Sequence, residues 1–430
     1  MFGIITGLVL LMLLAYRGHS IIWVAPLAAL VVAATGGLPL LEAYTVTYMT
    51  GFVAFTKSWF PVFMLGAIFV HLMDYTGAAR SIANWLTKIL GPKRAILGVI
   101  IGSAVLTYGG ISVFVVVFAM YPLALALFRE ANISRTLIPG SIALGSFTFT
   151  MTALPGSPQI QNLIPIDYFG TTPSAAPAMG LVSAVLMFGL GYAYLRHRER
   201  KLAEAGEVFT EPATRGTKGD GAALRKLPNP LVSLLPLIAV IVTLNLWKWD
   251  IVTALFSGIV LAMITNARAY RGFAKTISSG AAGSVTAIVN TSAAVGFGAV
   301  VKAVPGFQKL TSIILGIKGS PLVSEAIAVN LLAGATGSAS GGLGIALSAL
   351  GEQYCQLAAK TGISPEAFHR VASLASGGLD TLPHNGAVLT LLAVTGMTHR
   401  EAYRDIFVTT VLLPILSSIP AIILASVGVY

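Results

Sequence analysis

Long apolar runs alternate with short polar stretches along nearly the whole chain. Because a helix needs roughly 20 apolar residues to cross a bilayer, each run that approaches this length is a candidate transmembrane helix. The candidates lie at about 2–16, 20–37, 58–75, 95–108, 111–128, 177–195, 228–246, 250–266, 280–301, 321–338, 341–359 and 406–428. The pattern therefore predicts an all-α integral membrane protein with about 12 transmembrane helices.

Two further apolar stretches, at about 136–166 and 366–397, are interrupted by Pro, Gly, Asn and Asp. Irregular backbone at membrane depth is tolerated where it lines a cavity, but not where it faces lipid. We therefore interpret both stretches as re-entrant hairpins that enter the membrane beside a cavity.

Composition favours a membrane protein over a soluble one. Of the 430 residues, 56% are hydrophobic and 10% are charged, and the mean hydropathy is +0.84, whereas soluble domains are about one quarter charged. The net charge of +11 does not indicate a nucleic-acid partner, since the basic residues lie between apolar runs. The single cysteine, Cys355, allows no disulfide within the chain and is interpreted as a small buried residue.

The longest polar stretch divides the chain into two halves. It runs from Arg196 to Lys226 and holds eight basic and five acidic residues with Gly and Pro, which is typical of a flexible linker. We expect a first transmembrane repeat at 1–195, a cytoplasmic linker at 196–227 and a second repeat at 228–430. The basic residues of the linker place it in the cytoplasm, so that the first half begins outside.

The two halves share short motifs in the same order, at an offset near 230 residues. Leu65–Gly77 parallels Val295–Gly306, and Thr152-Ala-Leu-Pro-Gly parallels Asp380-Thr-Leu-Pro-His. Internal repeats of this size are the mark of secondary transporters, whose substrate site lies near the midplane at the repeat interface. The sequence thus predicts two internal repeats and a transport site between them.

The first broken segment, near Thr150–Asn162, contains Pro155 and Pro158, which cannot continue a helix. We expect two half-helices that meet tip to tip, with neutral donors near a helix N-terminus that favours an anion. The candidate substrate-binding residues of this segment are Thr152, Ser157, Gln159 and Asn162. The alternative is an ordinary surface loop rich in turn residues.

The second broken segment, Ser376–Gly386, has the same plan and adds two ionisable side chains. Ionisable residues inside a membrane are costly and indicate function, so Asp380 and His384 are the candidates for proton or sodium coupling. Thr381, His384 and Asn385 are the candidate substrate ligands. The alternative is that Asp380 caps a half-helix and His384 bonds to backbone.

Two glycine pairs, Gly109-Gly110 and Gly341-Gly342, lie between apolar spans. We expect them either to break helices beside the site and let backbone approach the ligand, or to allow close helix packing. The first of these readings adds all four glycines to the candidate substrate site.

The sequence shows no motif that indicates an enzyme, a metal site or a channel. It contains no His-Glu-x-x-His or Gly-x-Ser-x-Gly motif, no clustered Cys/His metal pattern and no filter-like repeat, so an enzyme or a channel is disfavoured. No cofactor is expected beyond a coupling proton or Na⁺. The open alternatives are a proton-coupled symporter, a sodium-coupled symporter, and the large membrane subunit of a tripartite transporter that depends on a soluble binding protein.

The stretch Met64–Ala83 resembles the signature of the gluconate permease family, within the ion transporter superfamily. The resemblance covers nearly the whole chain and puts the two hairpins at Leu154–Asn162 and Ser376–Gly386. It implies proton symport of a small organic acid, an elevator-type motion, a homodimer and a multi-pass protein of the bacterial inner membrane.

The sequence departs from the gluconate permease pattern in both hairpins. The first reads Ala153-Leu-Pro-Gly-Ser-Pro without the family's histidine, and in the second Asp380 precedes His384-Asn385. The chain therefore looks like a divergent branch similar to hydroxybutyrate or other short-carboxylate permeases, and its substrate is expected to be a hydroxy acid or short carboxylate other than gluconate.

Overall fold

The structure is a computed structural model that describes residues 2–17, 19–90, 94–211, 227–307, 320–383 and 385–430. Its secondary structure over these residues is helical, with no strand among them, which confirms the all-α prediction. The helices are α1 (Phe2–Tyr16), α2 (Ile21–Gly36), α3 (Leu40–Tyr75), α4 (Ala78–Leu90), α5 (Ala95–Tyr108), α6 (Val113–Glu130), α7 (Leu137–Ser146), α8 (Ile160–Phe169), α9 (Pro177–Glu204), α10 (Pro230–Asn245), α11 (Ile251–Thr265), α12 (Phe273–Ala303), α13 (Pro321–Thr336), α14 (Ala339–Thr361), α15 (Pro365–Ser376), α16 (Gly386–Thr395) and α17 (His399–Ser426).

Every predicted apolar span falls on one of these helices. In the part of the chain that the structure describes, four helical stretches are long and apolar enough to cross a membrane by length and composition. They are Leu40–Tyr75, Pro177–Glu204, Ala267–Ala303 and His399–Ser426. Several others, among them α2, α5 and α13, are apolar but only 10–17 residues long.

Helix α3 is longer than the predicted span 58–75, because it begins at Leu40. Several threonines interrupt the apolar pattern between residues 40 and 57. In the structure their hydroxyls donate to carbonyls one turn earlier, from Thr45 to Leu41 at 2.7 Å and from Thr50 to Val46 at 2.7 Å. A hydroxyl satisfied in this way does not oppose a helix in an apolar setting, and so hydropathy alone missed this part.

The helix contacts of the second half follow those of the first. Helix α1 packs on α2 as α10 packs on α11, α5 contacts α6 and α7 as α13 contacts α14 and α15, and α2 lies on α12 as α11 lies on α3. The long helices α3 and α12 lie against each other, and so do α9 and α17. This arrangement brings the broken segment of each half towards the centre of the molecule.

The segment predicted as a linker begins inside a helix. Helix α9 continues to Glu204, beyond the predicted boundary at 195, and Arg198 on its last turns bonds Asp405 of α17 at 2.8 Å. Residues 205–211 follow without regular structure, and Glu211 pairs with Arg129 at the end of α6. The rest of the predicted linker, residues 212–226, lies outside the described residues.

Candidate functional site

The first broken segment consists of α7, a turn at residues 147–159 that we call the first tip, and α8. A π-helical turn, Phe149–Ala153, ends at Leu154, where the backbone becomes extended. Pro155 and Pro158 follow, and between them Gly156 takes a left-handed φ of +75°, which favours glycine. The sequence thus stops the helix at the predicted place.

The polar side chains of the first tip are bonded to nearby backbone. Ser157 Oγ donates to the carbonyl of Thr150 at 2.9 Å, and Gln159 Nε2 donates to the carbonyl of Thr107 at 2.6 Å. Asn162 Nδ2 donates to the carbonyls of Ser157 at 2.9 Å and Pro173 at 2.7 Å. These side chains were predicted as substrate ligands, and the structure uses them to hold the tip closed.

A buried cation from the second half completes the first tip. Arg370 on α15 is fully buried, and its guanidinium donates to the carbonyl of Ala175 at 2.6 Å and to Oδ1 of Asn162 at 2.9 Å. The neighbouring His369 lies 2.6 Å from the hydroxyl of Thr171. Sequence reasoning missed both residues, although an arginine inside an apolar stretch is a signal of function or of a specific partner.

The second broken segment consists of α15, a turn at residues 377–385 that we call the second tip, and α16. Asn385 ties this tip down, because its Nδ2 donates to the carbonyls of Gly337 and Asp380, both at 2.9 Å, while its Oδ1 accepts from the N–H of Val388. The hydroxyl of Thr381 lies 2.7 Å from that of Thr410. His384 lies outside the described residues.

Asp380 is the ionisable group of the second tip that the structure describes. Its side chain is 3% exposed, and Oδ1 has no hydrogen-bond partner among the described residues. A buried carboxylate oxygen without a partner carries a large desolvation cost. Among the described polar groups of this tip, Asp380, the predicted coupling residue, is therefore the one with a buried oxygen that accepts no hydrogen bond.

A cavity of about 410 Å³ lies between the two broken segments. The second tip and the start of α16 contribute Asp380, Thr381, Asn385 and the following glycine and alanine, and the turn between α13 and α14 contributes residues 336–340. The first broken segment contributes Phe147, Met151 and Gln161. Of the predicted site residues, Asp380, Thr381 and Asn385 line this cavity, whereas Thr152, Ser157, Gln159 and Asn162 do not.

Four of the described helices begin at the cavity: α2, α6, α14 and α16. Helix α14 begins at Ala339 with Ser338 as its N-cap, and α16 begins at Gly386. Residues at both starts line the cavity wall. The first N–H groups of a helix have no partner within it and carry a partial positive charge, so both ends favour an anionic group in the cavity.

The glycine pairs divide between the two predicted roles. Gly109 and Gly110 end α5, and Gly110 has a φ of +94° with the Pro158 ring beside it, so this pair breaks a helix at the first tip. Gly341 and Gly342 do not, since both lie in the first turn of α14. The break there is at Gly337, with a φ of 58°, and a Cβ at Gly342 would clash with the backbone of α13.

Several polar residues of the cavity were absent from the predicted site. They are His19, Ser20, Gln161, Asn290, Thr336, Ser338 and Ser340. Two of them carried a readable signal: Ser338 precedes a helix as an N-cap does, and Asn290 is an amide within the long apolar helix α12. Gln161 lies between Gln159 and Asn162 in the sequence, but of these three residues Gln161 alone lines the cavity. The direction of each side chain depends on the geometry of the tip.

Comparisons with known proteins agree on the class of protein. A family model described as GntP family permease matches residues 1–244. The uncharacterized transporter YxjC of Bacillus subtilis is 43% identical over 449 residues, with 95% of each chain covered. An uncharacterized transporter of Haemophilus influenzae is 27% identical over 174 residues, which cover 40% of each chain.

A solved structure shares the fold. The crystal structure of the YdaH transporter of Alcanivorax borkumensis matches with a TM-score of 0.58 over 88% of both chains. The sequence identity is 15%, so this likeness concerns the arrangement of helices alone.

Proposed function

Since the chain belongs to the GntP permease family, and is therefore a multi-pass membrane transporter rather than an enzyme, we propose that it is a secondary active transporter. It carries a small organic acid, a hydroxy acid or short carboxylate, across the bacterial inner membrane in symport with protons. The observation that carries this proposal is the cavity in which Asp380 and the starts of α14 and α16 face one space.

The N-termini of α14 and α16 form the proposed binding site for the substrate. The carboxylate of the acid binds at the N-termini of α14 and α16, where backbone N–H groups and the helix dipoles favour a negative charge. Ser338, Ser340 and Thr381 offer hydroxyls to the same space. A volume of about 410 Å³ suits a small metabolite, since ligand pockets span roughly 300–1,000 Å³.

Asp380 couples the acid to the proton. A carboxylate substrate and an ionised Asp380 would repel each other in a space of low dielectric, so both occupy the site together when a proton, or a sodium ion in the alternative form of the proposal, neutralises the pair. After release on the other side, the site returns empty. His384, which lies outside the described residues, remains the second predicted coupling group.

The architecture of the proposal follows from the recurring contacts. We propose that the two halves are structural repeats and that the broken segments form re-entrant hairpins, which move past the α3 and α12 pair in an elevator-type cycle. Pairwise recurrence of helix contacts across the halves supports this, because transporter sites commonly lie where two repeats meet. A homodimer completes the proposed assembly.

The test is uptake by purified protein in liposomes under an inward proton gradient. Labelled 3-hydroxybutyrate, lactate, gluconate and succinate form the panel, and the expected result is gradient-driven accumulation of one or more hydroxy acids. Collapse of the proton gradient with an uncoupler should abolish accumulation and leave exchange of labelled for unlabelled acid.

The controls separate the alternatives. Accumulation driven by a sodium gradient alone would show that the coupling ion at Asp380 is Na⁺ and not a proton. Absence of any uptake by folded protein, followed by uptake when a soluble binding protein is added, would assign the chain to a tripartite transporter and overturn the proposal of a self-sufficient symporter.

A further inference from the structure

The buried guanidinium of Arg370 makes a set of contacts that transport chemistry does not explain directly. It donates five hydrogen bonds: Nε to Ala175 at 3.1 Å, Nη1 to Thr152 at 3.4 Å and to Asn162 Oδ1 at 2.9 Å, and Nη2 to Pro173 at 3.5 Å and Ala175 at 2.6 Å. A guanidinium has five N–H donors. None is left for a substrate, so Arg370 is not a ligand.

The acceptors of Arg370 lie in the first tip and after it. Thr152 belongs to the π-helical turn of the tip, Asn162 lies in the first turn of α8, and Pro173 and Ala175 belong to the loop that leads to α9. The donor itself belongs to α15, whose C-terminal end leads into the second tip. One side chain therefore fastens three parts of the first half to the helix that precedes the tip with Asp380.

Two of these acceptors are direct neighbours of cavity residues. Thr152 follows Met151 and Asn162 follows Gln161, and both Met151 and Gln161 line the cavity. Ser373, one turn after Arg370, strengthens the same connection by donating to the carbonyl of Thr152 at 2.8 Å. The tips also touch directly, since a Cβ at Gly377 would lie 2.8 Å from the Thr152 side chain.

We propose that Arg370 is a positioning residue for the substrate cavity: it sets the wall contributed by Met151 and Gln161 at a fixed distance from the opposite wall that carries Asp380. The proposal rests on the transport role given to the cavity above. Glu366, one turn earlier on α15, accepts from the N–H of Ala176 at 2.9 Å and so adds a second contact between α15 and the same loop. A buried cation with carbonyl acceptors on every donor is rigid, because leaving any of them unpaired is costly.

The test measures cavity geometry without a substrate. The chain has one cysteine, so Cys355→Ser gives a background in which Gln161→Cys on α8 and Asn290→Cys on α12 report on two different elements of the cavity wall. The rate of labelling by a small methanethiosulfonate reagent is measured for each, with Arg370 intact, as Arg370→Gln and as Arg370→Lys. Lysine keeps the charge but has three donors in place of the planar fork.

The expected result is a change at one wall only. Loss of the guanidinium contacts should alter the labelling rate at position 161 by roughly tenfold or more, the factor that corresponds to one lost buried hydrogen bond to a charged group, and leave position 290 unchanged. Arg370→Lys should shift position 161 in the same direction by less. If Arg370→Gln does not fold, the lysine variant decides, and unchanged labelling at 161 overturns the proposal.

Arg198→Gln is the matched control. It removes a different cation, the partly buried Arg198 of α9. The ion pair of Arg198 with Asp405, at 2.8 Å, includes no residue of either tip. Equal changes at positions 161 and 290, or the same change in Arg198→Gln, would show general loosening and overturn the proposal. The outcome is independent of the transport assay, because a wall-specific effect can appear even if none of the tested acids is carried.

Transport gives a second readout for a folded Arg370→Lys variant. The positioning role predicts a raised KM for the transported acid with a smaller change in maximal rate, because the wall is displaced while Asp380 is retained. A reduced maximal rate at unchanged KM would contradict it.

Discussion

The two tips are built alike but used differently. In each, an amide side chain anchors the turn to the break between two neighbouring helices: Gln159 to the carbonyl of Thr107, and Asn385 to that of Gly337. The first tip is then sealed by Arg370, whereas the second opens on the cavity with an unsatisfied oxygen of Asp380 among the described residues. In the proposed function the first tip is a fixed wall, and the second carries the chemistry.

This difference shows how two broken segments of similar build can divide their tasks. Equivalent positions in two halves need not both bind a ligand, because one half can supply rigidity that the other lacks. Buried polar groups that are fully satisfied stiffen a site, whereas a group left unpaired marks the place where a ligand or ion belongs. Four predictions test this division, from the largest expected effect to the smallest.

Substitution Asp380→Asn should abolish proton-driven accumulation, because the neutral amide cannot exchange a proton, and should leave some acid exchange. The measurement compares net uptake with counterflow in liposomes at several pH values. Asp405→Asn is the control: this buried acid pairs with Arg198 away from both tips, so coupling should persist despite lower stability. Unchanged accumulation by Asp380→Asn at every pH would remove the residue from the coupling role.

A methyl group added beside each tip should have different effects. At Gly180 on α9 a Cβ would clash with the carbonyl of Ala153 and lie 3.2 Å from Arg370 Nε, so Gly180→Ala should cost about 1–3 kcal/mol by overpacking. At Gly386, the first residue of α16, a Cβ would meet no atom of the described residues within 4 Å apart from its own chain neighbours, so Gly386→Ala should keep the melting temperature and weaken binding of the acid. Equal melting temperatures for both variants in detergent would contradict a tightly packed first tip.

Removal of either anchoring amide should lower stability by a similar amount, but the two substitutions should affect transport differently. Gln159→Ala and Asn385→Ala each remove a buried side-chain donor from backbone carbonyls, and each should lower stability by about 1–2 kcal/mol. Only Asn385→Ala should also raise KM, since Asn385 lines the cavity and Gln159 does not. Equal KM values would mean that both tips contact the substrate.

A surface pair remote from both tips should have almost no effect. The Arg129 guanidinium holds the pKa of the Glu211 carboxyl below its usual range, so any stabilisation is present at neutral pH and lost as pH falls through that lowered pKa. The pair is exposed and is screened at about 0.15 M salt. Glu211→Gln should therefore leave melting temperature and uptake unchanged at pH 7, and a clear loss of uptake would extend the functional region to this surface.

The positions of the tips could be predicted because their causes are local. Proline and glycine act on the backbone within a residue or two, so Pro155, Pro158 and Gly377 locate the breaks without any knowledge of the fold. At Gly341-Gly342 the structure agrees with the packing alternative and not with a helix break. The break lies at Gly337. It is followed by Ser338, the N-cap of α14, whose hydroxyl accepts from the N–H of Gly341.

The division of roles could not be predicted, because it depends on distant partners. Whether Asn162 faces a ligand or a protein group is decided by Arg370, which is 208 positions away in the chain. Periodicity carries no information on such a pairing. The same holds for Gln161, whose place in the cavity follows from the way α8 is fixed at its first turn.

The sealing of the first tip by Arg370 also sets an order of events during synthesis. Ala175 and Arg370 are separated by 195 positions, so the ribosome needs on the order of 10–40 s to deliver the guanidinium after the loop that it binds. Until then the carbonyls at Thr152, Pro173 and Ala175 lack this partner. The nascent first half therefore holds the turn through its own hydrogen bonds, such as those from Gly156 and Asn162 to the carbonyl of Pro173, and the guanidinium adds the link to α15 last.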